Sequence, residues 1–264
     1  MRPPHHTAPA VTTAAMGTLL ATVGFAILQT QPAGAAEQNR FPLESAAWLA
    51  PTTQAPAALP SLPVNAQSSS AEISALQTRL EWTGLTADWT DGTLDRATTT
   101  AVKSFQSRQR MKPTGRADAT TVARLESVAR DGKLDSRCGG EGITICVDKT
   151  QKVTRYLKDG KVIKIMNAQF GPEKGEKGFG QYSRTREGVF KVQEKQRHTV
   201  SNMYGYDLPW WMQFDGGEGF HYSGYFDQAG FKVNSYGCII SDSKADSAWL
   251  FDHTPKGTKV VVYH

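Results

Sequence analysis

The sequence lacks the short motifs that usually mark a nucleotide or metal site. It has no glycine-rich phosphate loop, no dinucleotide-binding fingerprint and no set of residues at metal-ligand spacing. His221 and Cys238 alone are too few for zinc, because structural zinc sites need four ligands and catalytic sites usually three. We therefore expect a protein that works without a metal ion or a cofactor.

Concentrated positive charge is also absent. The net charge is +5, but the lysines and arginines are scattered and form no basic stripe interleaved with aromatic residues. Proteins that bind nucleic acid generally carry such a stripe. The charge pattern therefore argues against a nucleic-acid partner.

Cysteine is scarce, with three residues among 264. Cys138 and Cys146 lie close enough in sequence to form a disulfide in an exported protein; the alternative is two unrelated buried thiols. Pairing them leaves Cys238 as an odd thiol. An unpaired thiol in an oxidising compartment is a liability unless its reactivity is used. Cys238 is therefore a candidate nucleophile.

No apolar run reaches the roughly 20 residues that a permanent membrane helix requires. Residues 14–28 are apolar and are followed by the small residues Ala33-Gly34-Ala35-Ala36. An apolar run followed by small residues predicts a cleaved signal peptide over residues 1–35, with an uncleaved anchor as the alternative. We expect a secreted protein, in the cell wall or outside the cell, with no stable membrane association after cleavage.

A small helical domain is predicted after a linker. Residues 36–68 are rich in Pro, Ala and Ser, a composition that buries too little apolar surface to fold. Residues 69–131 then carry three helix starts: the Ser69-x-x-Glu72 capping box, and Asp95 and Asp118 at equivalent places in two repeats. Each repeat begins with a glycine turn. The spacing predicts a compact three-helix all-α unit.

This domain resembles a known family. The pattern LQxxL…DGxxxxxT…AVxxFQ…TGxxDxxT…L is similar to the peptidoglycan-binding type 1 domain. The resemblance implies that the domain binds cell-wall peptidoglycan, including its glycan.

The remaining residues, 138–264, are predicted to be mostly β. Alternating strand-like runs begin at Ile143, and Asp159-Gly160 separates two further runs as a hairpin turn. One helix is predicted over residues 243–252. The expected fold class is thus a multi-domain chain, with the helical binding domain followed by a β-sandwich-like domain.

The sequence around Cys238 suits acyl transfer. A histidine can take the proton of a thiol near neutral pH, and His221 is a candidate for this role. Gly237 allows the backbone to bend so that amides, including that of Cys238, face one point. Such amides would stabilise an oxyanion. On spacing alone, a buried core thiol and a surface histidine are an equal alternative.

A second resemblance favours the catalytic interpretation. His221-x16-Cys238, with Ser235-x-Gly237-Cys238-Ile239, is similar to the L,D-transpeptidase (YkuD-type) catalytic domain. The resemblance implies a β-sandwich-like enzyme that acts on peptidoglycan stem peptides. It implies the following roles: Cys238 as the nucleophile, His221 as the general base, the Tyr222 carbonyl orienting the histidine ring, the amides of Tyr236, Gly237 and Cys238 forming the oxyanion hole, and Ser235 supporting the loop.

Two positions differ from the family pattern. Tyr236 replaces a second histidine, and Ile240 replaces a usual Arg or Asn. These differences motivate an alternative function, a non-catalytic peptidoglycan-binding protein with a degenerate transpeptidase domain. Papain-like wall amidases are disfavoured, because in them the cysteine precedes the histidine.

Overall fold

The computed structural model describes residues 63–85, 90–176, 178 and 183–264. The predicted signal peptide, and the predicted linker as far as residue 62, lie outside this part of the chain. Within the described residues, no helix is long and apolar enough to cross a membrane. The described residues form one compact unit in which a helical region precedes a mostly-β region. This is the fold class that the sequence predicts.

The helical region consists of α1 (Ser70–Trp82), α2 (Arg96–Arg108) and α3 (Ala119–Ala129). All three helices begin at the predicted side-chain caps. Ser69 and Glu72 form the capping box, and the carboxylates of Asp95 and Asp118 each accept the amide three residues on. These caps satisfy amides that have no partner inside the helix, which fixes where each helix starts.

Two buried glutamines explain why the sequence repeats. The Oε1 atom of Gln77 accepts the amide of Gly92 at 2.9 Å, and that of Gln106 accepts the amide of Gly115 at 2.8 Å. Each Nε2 atom donates to the threonine hydroxyl six residues after that glycine. Both glycines have φ near +70°, where a side chain would be strained. Each helix therefore fixes the turn and the first residues of the next helix.

The described part of the mostly-β region contains nine strands and two α-helices. The strands are β1 (Ile143–Asp148), β2 (Val153–Lys158), β3 (Lys161–Asn167), β4 (Gly188–Lys191), β5 (Glu194–Gln196), β6 (Trp211–Asp215), β7 (Glu218–Tyr222), β8 (Ile239–Ser241) and β9 (Lys259–Tyr263). The helices are α4 (Gly224–Ala229) and α5 (Lys244–His253). The predicted helix over residues 243–252 is confirmed as α5, with Ser243 as its N-cap; α4 was not predicted.

The strands form two sheets with a shared core. One sheet has the order β3-β2-β1-β9-β4 and the other the order β5-β6-β7-β8. Most neighbours are antiparallel, but β1 pairs with β9 and β7 with β8 in parallel. Fully buried side chains from both sheets pack together, among them Ile145, Met212, Phe214 and Val260. Burying one face of each sheet in this way is what stabilises a two-layer β fold.

Two local features anchor the first strands. Asp159 and Gly160 form the predicted hairpin turn between β2 and β3, both with positive φ. Cys138, just before β1, forms a disulfide with Cys146 within β1. Cys238 is a free cysteine.

The helical region is fixed to the β region by buried polar contacts. Arg130, after α3, donates to the carboxylate of Asp148 at 2.9 Å, and Asp148 is almost fully buried. Gln151 donates to the carbonyl oxygen of Val128 in α3 at 2.7 Å. A buried polar group is costly without a partner, so these contacts constrain how the regions meet.

Candidate active site

Cys238 lies at the end of a short loop that leads directly into β8. The loop is Ser235-Tyr236-Gly237-Cys238, and Gly237 has a φ of 113°. A residue with a side chain would be strained at this backbone angle. The thiol of Cys238 is partly buried against the small apolar cluster that contains Ile240. Glycine therefore allows the bend that presents the sulfur.

The pairing of β7 with β8 brings His221 to the same side of the sheet as Cys238. The strands are parallel, and His221 lies opposite Ile240. Opposite residues on neighbouring strands point to the same side, and side chains alternate along a strand. Cys238 comes directly before β8, and extending the alternation by one residue places it on that side. The strand pairing thus places the two residues that the sequence predicts to cooperate at neighbouring positions of one sheet.

The ring of His221 is held by the backbone of the next residue. Its Nδ1 atom lies 2.8 Å from the carbonyl oxygen of Tyr222. A carbonyl oxygen can only accept, so Nδ1 carries the proton and Nε2 keeps a free lone pair. Burial lowers the pKa of His221 to about 4, although the bond to Tyr222 opposes the shift. The imidazole is therefore neutral near pH 7 and is able to accept a proton at Nε2.

The thiol is neutral as well. Burial raises the pKa of Cys238 to about 11; a hydrogen bond with the backbone of Gly219 opposes this shift and the nearby Glu218 carboxylate adds to it. At neutral pH the resting pair is thus a thiol and an imidazole, not a thiolate and an imidazolium. Such a pair needs proton transfer at the moment of attack, which is general-base catalysis.

The hydroxyl group of Ser235 forms hydrogen bonds within the loop. Its hydroxyl donates to the carbonyl of Cys238 and accepts the amide of Gly237 at 3.2 Å. Its own amide donates to the carbonyl of Phe170 at 2.8 Å. The amide of Gly237 therefore already has an acceptor within the loop, which matters for its predicted place in an oxyanion hole.

Thr185 also contacts the loop, at a position that no motif in the sequence marks. Its hydroxyl donates to the carbonyl of Gly237 at 2.7 Å and accepts the amide of Gly171 at 3.0 Å. The side chain is fully buried. Thr185 and Gly237 are 52 residues apart in sequence, so this role could not be deduced without the fold. Thr185 fixes the bend next to Cys238.

An ion pair braces the beginning of β7. Arg186 donates from its amide and from Nε to the two carboxylate oxygens of Glu218, at 3.0 and 2.8 Å. Arg186 also lies 3.1 Å from Asp215. Burial raises the pKa of Glu218, while Arg186 opposes the shift. No local pattern predicts this pair, because Arg186 precedes β4 and Glu218, which begins β7, comes 32 residues later.

The side chain of Tyr236 points away from the loop. It is 58% exposed, and its ring stacks on that of Tyr204 with centroids 4.8 Å apart. Tyr204 in turn lies near Tyr206, at 6.4 Å. The ring of Tyr236 therefore belongs to an exposed aromatic row, while its backbone remains in the loop.

Ile240, the other unusual position, is buried. Only 5% of the residue is exposed, and it packs with Phe226 of α4 and Phe231. A polar side chain here would lose this apolar environment. The packing of Ile240 against these two rings holds β8 in place.

A separate group of side chains has a geometry that a metal ion could use. In the described part of the chain, Glu173, Glu187 and His264 each place one ligand atom within 4.8 Å of the others. The ammonium group of Lys149 already pairs with both carboxylates. This lysine supplies the positive charge that the carboxylates require, so we assign no metal to the group.

Comparison with known families identifies both regions. Residues 142–262 match the family described as "L,D-transpeptidase catalytic domain" (YkuD), and residues 69–125 match the "Putative peptidoglycan binding domain" family. No curated protein matches the chain.

Two solved structures are similar to this chain. An L,D-transpeptidase from Stackebrandtia nassauensis is 26% identical, with a TM-score of 0.50, over 72% of this chain and 89% of its own. An L,D-transpeptidase from Xylanimonas cellulosilytica is 27% identical, with a TM-score of 0.46, over 76% of this chain and 98% of its own. By the two family matches, residues 142–262 form a YkuD L,D-transpeptidase domain, and residues 69–125 form a peptidoglycan-binding domain before it.

Proposed function

We propose that this L,D-transpeptidase domain cross-links peptidoglycan through a thioester on Cys238. The observation that carries the proposal is a free thiol directly before β8 together with a neutral histidine on the neighbouring strand β7. His221 is fixed by Tyr222 with Nε2 free, the state that a general base requires.

The first half of the reaction forms the acyl-enzyme. The thiol of Cys238 gives its proton to Nε2 of His221 while the sulfur attacks the carbonyl carbon of the third stem-peptide residue. The C–N bond to the terminal D-alanine then breaks, and the imidazolium returns the proton to the leaving amine. Free D-alanine and a thioester result.

The second half transfers the acyl group. The side-chain amine of a diamino acid on a neighbouring stem attacks the thioester, its proton passes through His221 to the departing sulfur, and the thiol is restored. The product is an amide between two third-position residues. Water in place of the amine gives L,D-carboxypeptidase activity. A covalent intermediate divides one difficult step into two easier ones.

Backbone amides of the loop stabilise the oxyanion of each tetrahedral intermediate. We assign this role to the amides of Tyr236 and Cys238, because the amide of Gly237 donates to Ser235. Donors fixed in advance at the place where charge develops are often the largest catalytic term. Gly237 then acts by its backbone angle, and Ser235 and Thr185 hold the bend.

The N-terminal domain directs the enzyme to its substrate. A peptidoglycan-binding domain raises the local concentration of stem peptides at the catalytic domain. Secretion through the predicted signal peptide would deliver both domains to the cell wall. The partners are therefore peptidoglycan glycan and stem peptides.

Mass spectrometry of the intact protein tests the proposal. The purified protein is incubated with a tetrapeptide stem or with a carbapenem, and Cys238→Ala serves as the control. A mass increase located on Cys238, absent in the variant, is the expected result. Finding no adduct with either reagent between pH 5 and pH 9 would remove the proposal.

The second candidate is a wall-binding protein without turnover. It is favoured by the exposed ring of Tyr236 and the apolar environment of Ile240, which stand where the family pattern has polar groups. Wall binding with no change in stem peptides, measured by a muropeptide digest after incubation, would favour this candidate.

A further inference from the structure

The end of α2, in the helical domain, reaches both sides of the loop that carries Cys238. Arg108 and Arg110, two residues apart, each cross into the β region. One side of the loop is the segment before it, ending at Asn234; the other is β8 and the residue after it, Asp242. A domain that only tethers the enzyme to the wall would not need these contacts.

Arg110 contacts the segment that precedes the loop. Its Nε donates to the carbonyl oxygen of Phe231 at 2.8 Å, and a terminal nitrogen donates to the side-chain oxygen of Asn234. The other terminal nitrogen forms an ion pair with Glu176 at 2.8 Å. A guanidinium suits this task, because its donors lie in one rigid plane. Three acceptors from two separate segments are thus held by one side chain.

The backbone of Arg110 is itself in an unusual conformation. Its φ is 58°, in the left-handed region that residues with a side chain seldom adopt. Such a conformation persists where the surrounding contacts determine it. Here it follows the C-terminus of α2 and turns the side chain toward the β region.

Asn234 transmits the contact to the loop. It directly precedes Ser235, whose amide is bonded to Phe170. The side-chain amide of Asn234 also lies 3.4 Å from Glu176, so Arg110, Glu176 and Asn234 form a closed triangle of polar contacts. Asn234 is separated from the proposed oxyanion donor Tyr236 by a single residue. A shift of Asn234 would therefore displace the amides that we assign to the oxyanion hole.

Arg108 supports the other side. It is almost fully buried, and its Nε donates to the side-chain oxygen of Asn167 at 2.9 Å. The side-chain nitrogen of Asn167 donates to the carboxylate of Asp242 at 2.8 Å. Asp242 directly follows β8, the strand that begins after Cys238. Residues at the end of α2 thus hold both the segment before the loop and the strand β8 that follows it.

We propose that the end of α2 positions the catalytic loop, with Arg110 as the positioning residue that holds Asn234. The helical domain is then part of the working active site as well as a wall-binding module. The effect on acylation rests on the proposed function, whereas the effect on the loop does not.

Loss of Arg110 has a defined physical consequence. Arg110→Ala leaves Asn234, Glu176 and the carbonyl of Phe231 without their shared donor, while the fold of each region keeps its own core. The loop is then free to shift. Displacing reacting groups by about 1 Å can cost about a hundredfold in rate. We expect acylation of Cys238 to slow by about ten- to a hundredfold.

Two measurements on the full chain test the proposal. Hydrogen exchange followed by mass spectrometry reports on the loop, and the rate of acylation by a carbapenem reports on the chemistry. The variants are Arg110→Ala, Arg110→Lys and the matched control Arg116→Ala, an exposed arginine of the same domain. Lysine keeps the charge toward Glu176 but loses the planar fork, so we expect only partial recovery.

The expected result is faster exchange over residues 231–238 in Arg110→Ala, slower acylation, and no change in Arg116→Ala. Exchange equal to that of the parent overturns the proposal, whatever the activity. Faster exchange with unchanged acylation also overturns it, because the contact then orders the loop without positioning the amides. A parent protein that never acylates defeats the proposed function, while exchange still decides whether Arg110 holds the loop.

A double-mutant cycle with Asn234→Ala separates this contact from general destabilisation. Residues that act through one contact show strongly non-additive effects. We expect the double variant to acylate no more slowly than the worse single variant. Fully additive losses would show that Arg110 does not act through Asn234.

Discussion

The Nδ1 atom of His221 lies 2.8 Å from the carbonyl oxygen of Tyr222, the next residue in the chain. This contact fixes the tautomer, because the carbonyl can only accept. The proton therefore resides on the ring nitrogen that points to the backbone, and the other nitrogen is left to act as a base. In the proposed mechanism, a backbone atom performs the task that a carboxylate performs in a Ser-His-Asp triad.

Removing the base should slow acylation far more than it alters the fold. We expect His221→Ala to lower the rate at which Cys238 is acylated by about two to four orders of magnitude, the usual scale for general-base catalysis. Stopped-flow measurement with a carbapenem gives the rate, and circular dichroism checks folding. A variant that acylates as fast as the parent would show that His221 is not the base.

The acylation rate should stay high at moderately acidic pH. A base works only when unprotonated, so its contribution falls as the pH drops through its pKa. Burial lowers the pKa of His221 to about 4, so we expect the rate to hold between pH 7 and pH 5 and to fall near pH 4. An ordinary histidine, with a pKa of about 6.5, would already be mostly protonated at pH 5. A midpoint between pH 6 and pH 7 would contradict the buried, neutral imidazole.

Tyr236 should act through its backbone. Its ring is exposed and stacked on Tyr204, so Tyr236→His should fold and keep acylation within about tenfold. Tyr236→Pro removes the amide that we assign to the oxyanion hole and should be far more damaging. The acylation rates of both variants, compared with that of the parent, show whether the backbone amide or the ring of Tyr236 is used. Equal losses in the two variants would mean that the ring, and not the amide, is what the site uses.

Thr185 should contribute through its hydroxyl. Thr185→Val keeps the shape but leaves the buried carbonyl of Gly237 and the amide of Gly171 without this partner. We expect a loss of about 1–3 kcal/mol in the free energy of unfolding, together with slower acylation. Thr185→Ser retains the hydroxyl and is the matched control. Urea denaturation gives the stability, and a valine variant as stable as the serine variant would contradict this role.

Thiol labelling under native and then denaturing conditions should find a total of one free thiol per chain. Cys138 and Cys146 are bonded, eight residues apart, and Cys238 is free. Closing so short a loop contributes about 2–3 kcal/mol by the chain-entropy estimate. A thiol reagent is added under native and then denaturing conditions without reductant. Three labelled thiols would exclude the disulfide in the purified protein.

The sequence predicted those features that depend on near neighbours. The caps at Ser69, Asp95 and Asp118, and the turn at Asp159-Gly160, are local, since each needs only a few consecutive residues. The candidate pair His221 and Cys238 came from a pattern, and the structure places His221 in β7 and Cys238 directly before the adjacent strand β8.

The supporting contacts could not be predicted in this way. Arg110 and Asn234 are 124 residues apart, and Thr185 and Gly237 are 52 residues apart. Nothing in the local sequence of Thr185 or Arg110 distinguishes them from other turn or helix-end residues. Only the packing of the two regions and the pairing of the strands brings these groups together.

The strand order has a consequence for how the catalytic domain is made. β9 lies between β1 and β4 in its sheet, although it is the last strand in sequence. Until β9 is in place, β1 presents an open edge, and β4 has no neighbour through which to join β1. The first three strands can pair as a local meander, while the sheet closes only by long-range pairing, which is slow. The catalytic domain therefore cannot complete this sheet until residues 259–263 have left the ribosome.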